Sequence, residues 1–366
     1  MLRLATSGSV PLSTQRPPGM THRIALLLAL PLAASYVHPL PPTARHACSS
    51  SPSISGRPQR HPPGRAVASA VPLASAEEPE ARSGVIPAVR NKGQKFGVRM
   101  WGVSSSGEQL GPHLFLFGKV LNWFGALYLA QALLWAILWS ATMAISNAIS
   151  AVSSWDPKRK FFDATGKLWS FWNMKVGGCA PAEVTGLEYV PPEGQPVVFA
   201  ANHASWFDIP LVAQCIPSTF KFVASAGLSK LPLIGQQLTG GRHVLIDRRS
   251  RKSQLRSFKE SVAWLSDGVS IMAFPEGTRS RDGKLAKKFK GGVFSMATKT
   301  GCPIVPISIV GAFSTFPPEA LMPYGPKGKD LAIHFHPPID TAGKTEEELQ
   351  QLTRDAIASK LPEECR

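Results

Sequence analysis

At 366 residues the chain has room for two average domains, and 40 Lys and Arg against 24 Asp and Glu give it a formal charge of +16. Such an excess suits an anionic partner: nucleic acid, an acidic carrier protein or a phosphate-bearing lipid surface. The five cysteines are odd in number, widely spaced and without a CxxC pair, which argues against a disulfide framework and a zinc site, so neither a metal nor a cofactor is expected.

Residues 1–76 contain no Asp or Glu, while Arg3, Arg16, Arg23, Arg45, Arg57, Arg60 and Arg65 recur among Ser, Pro and Ala. So few core-forming residues cannot offset the entropy of ordering. Arg23 precedes the apolar run 24–33 and the small residues Ala34 and Ser35. That is the layout of a secretory signal, too short for a permanent span. The Ser/Arg/Pro-rich stretch that follows has the composition of an organelle transit peptide. Together they resemble the two-part presequence of plastids acquired by secondary endosymbiosis, with the endoplasmic reticulum as the alternative destination. Residues 1–82 are therefore read as a targeting segment. They hold eight of the basic and three of the acidic residues, which leaves +11 for residues 83–366.

A linker is expected over 83–111 and a membrane anchor over 112–155. No charged side chain lies between Lys119 and Asp156, an interval longer than the ~20 residues that cross a bilayer. The polar residues scattered over 140–150 leave two geometries open, a single spanning helix or a helical hairpin dipping into one leaflet. Trp123, Trp135, Trp139, Trp155, Trp169 and Trp172 read as an aromatic belt, and Lys158, Arg159 and Lys160 as charge for an anionic leaflet.

Residues 156–366 read as an α/β domain. Apolar, β-branched runs at 197–201, 220–224, 243–246, 269–274, 303–310 and 331–335 predict strands. Leu255, Phe258, Val262 and Leu265 recur at helical spacing before Gly268, and helices are also expected over 210–216, 293–300 and 346–361. Strands alternating with helices imply a mainly parallel sheet flanked by helices, with function in the loops beyond the carboxyl ends of the strands.

The chemistry-bearing residues follow those strands. The first leads into Asn202-His203 and, five residues after the histidine, Asp208. A histidine oriented by a carboxylate is the minimal kit for taking a proton from an alcohol near neutral pH. An i, i+5 pair lies about 140° apart on a regular helix, so His203 belongs before the helix that Asp208 begins. The third strand leads into Asp247-Arg248 and the fourth into Pro275-Glu276-Gly277-Thr278-Arg279-Ser280.

His203-x4-Asp208, Ile246-Asp247-Arg248, Phe274-Pro-Glu-Gly-Thr-Arg-Ser280 and Ile304-Val-Pro-Ile307 resemble the four ordered blocks of the glycerolipid acyltransferases, and among them the plastid-type 1-acylglycerol-3-phosphate acyltransferases. The resemblance runs from about residue 184 to 335. It implies that His203 is a general base for the sn-2 hydroxyl of lysophosphatidate, which attacks an acyl-CoA or acyl-ACP thioester, and that Asp208 fixes its tautomer. No acyl-enzyme is needed. Asn202 or nearby backbone N–H groups are candidates to steady the oxyanion.

Arg248 and Arg279 suit a phosphate monoester. Glu276 is assigned to glycerol hydroxyls or to holding Arg279, Gly277 to a backbone turn, and Thr278 to the same substrate-binding set. Val305-Pro306 divides between acyl-channel wall and ordinary core. Where many bacterial relatives read Ala-Lys-x-Glu-Leu, this chain has Ala224-Ser225-Ala226-Gly227-Leu228, which puts the contacts of that loop in doubt. Acylation of another lysophospholipid is the runner-up. A lipid hydrolase is less favoured, since no G-x-S-x-G elbow is present. Nucleic acid is not expected, because the basic residues lack interleaved aromatic platforms; membrane lipids are.

Overall fold

The computed structural model describes residues 96–99, 102–107, 109–116 and 118–366. The targeting segment read over 1–82 lies outside them. All belong to one compact unit, Asn91–Arg366.

The described chain opens in strands. β1 (Phe96–Arg99), β4 (His113–Leu116) and β5 (Lys119–Asn122) form an antiparallel sheet in that order, and β2 (Gly102–Val103) pairs with β3 (Gln109–Leu110). Strand therefore occupies part of the span read as linker and, at 113–116 and 119–122, the start of the span read as anchor. These strands are two to four residues long and broken by Gly107 and Gly118 at positive φ, so they carry no readable alternation.

Helix α1 (Trp123–Val152) takes up nearly the whole uncharged interval, capped by Asn122, whose side chain accepts the N–H of Gly125. Its 30 residues span about 45 Å. No hairpin forms within it: the hydroxyls of Ser140, Thr142 and Ser153 donate to carbonyls three or four residues back and stay inside the helix. α2 (Lys160–Val176) runs antiparallel along it, with Trp135 stacked on Trp172 and Trp139 on Trp169. Four of the six tryptophans read as a belt thus also join two helices through stacked indole faces. The basic cluster is consumed internally as well. Lys158 binds Asp267, Lys160 pairs with Glu193 at 2.9 Å, and the buried Arg159 donates to the carbonyl of Gly240 and to Asn147.

The rest of the described chain is built on a seven-stranded sheet in the order β6-β12-β11-β7-β10-β8-β9. Its members are β6 (Glu183–Thr185), β7 (Val198–Ala201), β8 (Phe220–Ser225), β9 (Val244–Ile246), β10 (Ser270–Ala273), β11 (Ile304–Val310) and β12 (Ala332–Phe335). Only β11 and β12 pair antiparallel, so the mainly parallel sheet expected from sequence is what forms. β7 lies at its centre and is buried throughout, as a parallel strand covered on both faces must be.

Alternate residues feed two cores. Val197, Phe199 and Ala201 join Met174, Leu211, Val212 and Val305 on one face. Val198 and Ala200 join Leu265, Phe294, Leu349 and Ile357 on the other. The first face is covered by α2 and α3 (Asp208–Cys215), with α4 (Ile234–Gly240) packed on α1 and α2, and the second by α5 (Arg251–Ser266), α6 (Gly292–Thr300) and α8 (Glu346–Lys360), with the single-turn α7 (Ala312–Thr315) after β11. Val305 belongs to the core, which answers the divided reading of that motif. α8 starts where Thr345 and Glu348 form a capping box.

Candidate active site

β7 and β10 are adjacent and parallel, so the loops at their carboxyl ends meet. Asn202 fixes the first loop. Its side chain donates to the carbonyl of Ile309 (2.9 Å) and accepts that residue's N–H (2.8 Å), clamping the end of β7 to β11. It is buried and committed to backbone, which removes it from the candidates for an oxyanion donor.

His203 comes next, ahead of α3, and Asp208 is the first residue of that helix. Nδ1 of His203 lies 2.7 Å from Oδ2 of Asp208. A carboxylate only accepts, so Nδ1 carries the proton and Nε2 is the basic nitrogen. The same Oδ2 accepts the N–H groups of Ala204 and Ser205, both at 2.8 Å. The carboxylate therefore reaches back into the turn instead of capping α3, whose N-cap Phe207 has no side-chain cap bond. Asp208 is fully buried, while the imidazole keeps 14% of its surface and stacks on Phe274 at 4.0 Å. The Ser205 hydroxyl accepts from Phe207 N–H and donates to the carbonyl of Phe316, so it is doubly engaged.

The segment after β10 grips His203 by its backbone. Glu276 Oε1 accepts the His203 N–H (2.6 Å), and Ser280 N–H donates to the His203 carbonyl (2.7 Å). The other oxygen, Oε2, accepts the N–H of Ala286 (3.1 Å). Glu276 is thus a positioning residue. No ion pair joins it to Arg279 among the described residues, contrary to one half of the sequence reading, because its carboxylate is turned inward to two N–H groups. Burial pushes its carboxyl up to about 7, against the pull of those two bonds and with a further push from the Asp208 charge.

Gly277 makes the turn with φ +77°, a conformation costly for any residue with a Cβ. Thr278 is exposed and its hydroxyl bonds the neighbouring Arg279 carbonyl, so the structure does not turn it into the site. The Arg279 guanidinium lies over the Trp206 ring, 4.7 Å from its centroid, and has no ion-pair partner among the described residues. Burial lowers its pKa and the Asp208 charge opposes this.

Arg248 is apart. It follows β9, the edge strand three positions from β7, roughly 14 Å away at the ordinary strand spacing. It is exposed, and no hydrogen bond or ion pair links its side chain to the other residues of the site. Sequence reasoning passed over Trp206, Phe274 and Phe316, which shape the walls; two of them sit inside the quoted motifs as aromatic residues among polar ones.

This geometry presents a supported basic nitrogen beside an unpaired guanidinium. Comparison with known proteins agrees with it. The Acyltransferase family model matches residues 181–310. A 1-acyl-sn-glycerol-3-phosphate acyltransferase of Chlamydomonas reinhardtii is 32% identical over 236 residues, 63% of this chain and 68% of that protein. The chloroplastic enzyme of the same name from Arabidopsis thaliana, LPAT1, is 32% identical over 209 residues, and this chain spans about half of that relative's length, 56%. Among solved structures, the 1-acyl-sn-glycerophosphate (LPA) acyltransferase PlsC of Thermotoga maritima superposes with a TM-score of 0.51 at 25% identity, over 63% of this chain and 95% of that one. The chain belongs to the 1-acyl-sn-glycerol-3-phosphate acyltransferase family.

Proposed function

We propose that this chain transfers an acyl group from a thioester to the sn-2 hydroxyl of lysophosphatidate, making phosphatidate. The observation that carries the reading is the 2.7 Å bond between His203 Nδ1 and Asp208, which leaves Nε2 as the acceptor. Nε2 takes the hydroxyl proton as the oxygen attacks the thioester carbonyl, and Asp208 stabilises the imidazolium that forms. When the tetrahedral intermediate collapses, the C–S bond breaks and the imidazolium returns its proton to the leaving thiolate. Arg279 holds the acceptor's phosphate, with Arg248 at the rim. The donor is an acyl-CoA or an acyl carrier protein.

A donor-by-acceptor matrix on the protein truncated after residue 82, reading thiol release and product regiochemistry, tests this. No thiol release with any pair, or acylation at a position other than sn-2, would overturn it.

We also read α1 as the membrane contact. Leu127, Leu133, Leu134, Ile137 and Leu138 are each more than half exposed, an apolar face of a length and composition that suits lipid. Its other side, through Tyr128, Ala136, Trp139 and Met143, is buried against the domain. A helix held along that side favours lying in the interface over crossing alone. Plastid residence rests on the composition of residues 1–82 and the chloroplastic relatives. Fluorescent tagging of the full chain in a plastid-bearing cell checks it; retention in the endoplasmic reticulum would sink it.

A further inference from the structure

Lys119 opens β5, outside every motif read from the sequence and before the stretch that the family model matches. β5 is stitched to the segment after α7. Val120 N–H donates to the Glu319 carbonyl (2.9 Å), Leu321 N–H to the Val120 carbonyl (2.8 Å), and Asn122 Nδ2 to the Tyr324 carbonyl (2.7 Å). The Lys119 ammonium itself donates to the carbonyl of Pro318. Two residues earlier, Phe316 accepts the Ser205 hydroxyl at 2.7 Å, and its ring meets Phe207 edge-on at 5.3 Å. Lys119 is thus held on the segment that supports the His203 turn. Trp206, next to Ser205, carries the Arg279 guanidinium on its ring.

Lys119 and Arg279 therefore approach the same turn of the site, near enough for their charges to oppose each other, each with one carboxylate in its neighbourhood, Glu319 and Asp208. Both oxygens of Glu319 are taken by the N–H (2.7 Å) and hydroxyl (2.8 Å) of Ser105. Asp208 Oδ2 accepts three N–H groups of the His203 turn, while its buried Oδ1 has no hydrogen-bond partner among the described residues and its charge partly offsets that of Arg279. Burial draws the Lys119 ammonium below its ordinary pKa, the Arg279 charge lowers it further, and Glu319 only partly opposes them. Like charges brought together out of bulk water repel unless an anion lies between them.

We propose that Lys119 and Arg279 together hold the phosphate monoester of the acceptor, so that β5 is part of the substrate site. This rests on the acceptor reading of Arg279 given above. Two cations match a dianion better than the single charge of a phosphodiester, so Lys119 sets the preference for a terminal phosphate. The same chemistry would also recognise phosphate groups of the donor, and the kinetics separate the two.

The test compares the wild-type full chain with Lys119→Ala and Lys119→Arg in vesicles, using lysophosphatidate and lysophosphatidylglycerol as acceptors. Losing one charge-assisted bond to phosphate raises the lysophosphatidate KM roughly tenfold. The donor KM stays unchanged, the preference for lysophosphatidate over the diester falls by a similar factor, and Lys119→Arg retains most of it. An unchanged acceptor KM, or a rise in donor KM instead, overturns the proposal. If Lys119→Ala does not fold, Lys119→Gln is measured with inorganic phosphate as competitor: roughly tenfold weaker inhibition supports the site, and equal inhibition refutes it. A wild-type enzyme that acylates neither acceptor refutes the underlying function, whereas an active one indifferent to Lys119 refutes only this assignment.

Discussion

Among the described residues, His203 with Asp208 and His243 with Asp163 are both enclosed histidine–carboxylate pairs, and the first has the form of a reactive site. His203 shows its open nitrogen beside an unpaired Arg279. His243 lies 3.5 Å from Asp163 and has no open nitrogen: its Nδ1 accepts the Phe222 N–H at 3.0 Å, and Nε2 faces the carboxylate. Asp163 is in turn paired with Lys221 at 2.5 Å, whose remaining protons go to the carbonyls of Lys158 and Gly241. Burial, with Lys221 beside it, pulls His243 down to about 3, so it stays neutral at any ordinary pH. The same residue types thus give a proton acceptor in one place and a brace between α2, β8 and the approach to β9 in the other. What separates them is how many ring nitrogens the backbone and the neighbouring charges have already claimed.

The sharpest way to break this comparison is to remove each histidine in turn. His203→Ala is expected to lower the acyl-transfer rate by roughly 10²–10⁴-fold with little change in melting temperature. His243→Ala is expected to do the reverse, leaving the rate per folded molecule intact while the orphaned Phe222 N–H costs about 1–3 kcal/mol. Steady-state kinetics alongside urea titrations check both, and a large rate loss for His243→Ala would end the distinction.

Asp163→Asn comes next in size. It leaves the Lys221 ammonium buried without its counter-charge, which costs about 3–5 kcal/mol in urea unfolding. A loss under 1 kcal/mol would mean that the brace is dispensable.

Glu276 tests the catalytic pair's own support. Its folded pKa, about 7, lies above the ordinary carboxyl value of 4.5, so between these pH values the folded protein binds more protons than the unfolded one. Its contribution to stability is therefore present at low pH and lost as pH rises through that window. At about 1.4 kcal/mol per pH unit the change is of order 3 kcal/mol. Asp163, raised to about 7 by burial, and His243, which gains a proton only on unfolding, also make stability depend on pH, so the measured quantity is the difference between wild type and Glu276→Gln. That difference should shrink by the stated amount from pH 4.5 to 7, and a flat one would contradict the reading of a buried, protonatable carboxyl.

Much of this was legible in the sequence. Each central strand was visible because a parallel strand buried on both faces reads as an unbroken apolar run. The i, i+5 spacing was enough to place His203 before α3. α2 was hidden for the opposite reason. Its buried positions include Asp163, Thr165, Ser170 and Asn173, while Trp172 and Val176 are exposed, so its pattern is close to inside-out. Asp163 and Asn173 find partners far along the chain in Lys221 and Gln131, which no local window contains, whereas Thr165 and Ser170 turn their hydroxyls to carbonyls three and four residues back. The stacking of Trp135 on Trp172 and of Trp139 on Trp169 was not legible, because composition marks Trp as interfacial without showing that a second helix is there to stack on.

Arg248 carries the smallest expected effect and shows where strand-end reasoning stops. Both arginines follow a strand, and sequence alone put both on the phosphate. The sheet order separates them, since β8 lies between β9 and β10 and leaves Arg248 two strands from the one that delivers Arg279. Burial draws both guanidiniums below their ordinary pKa, but Arg248 is the more exposed side chain, and a solvent-facing cation contributes well under 1 kcal/mol to holding an anion. Arg248→Ala should therefore raise the acceptor KM less than about threefold, against tenfold or more for Arg279→Ala, where the cation is partly enclosed and held over Trp206. Equal losses would mean that the headgroup lies across β8 and that the phosphate is shared between the two strand ends.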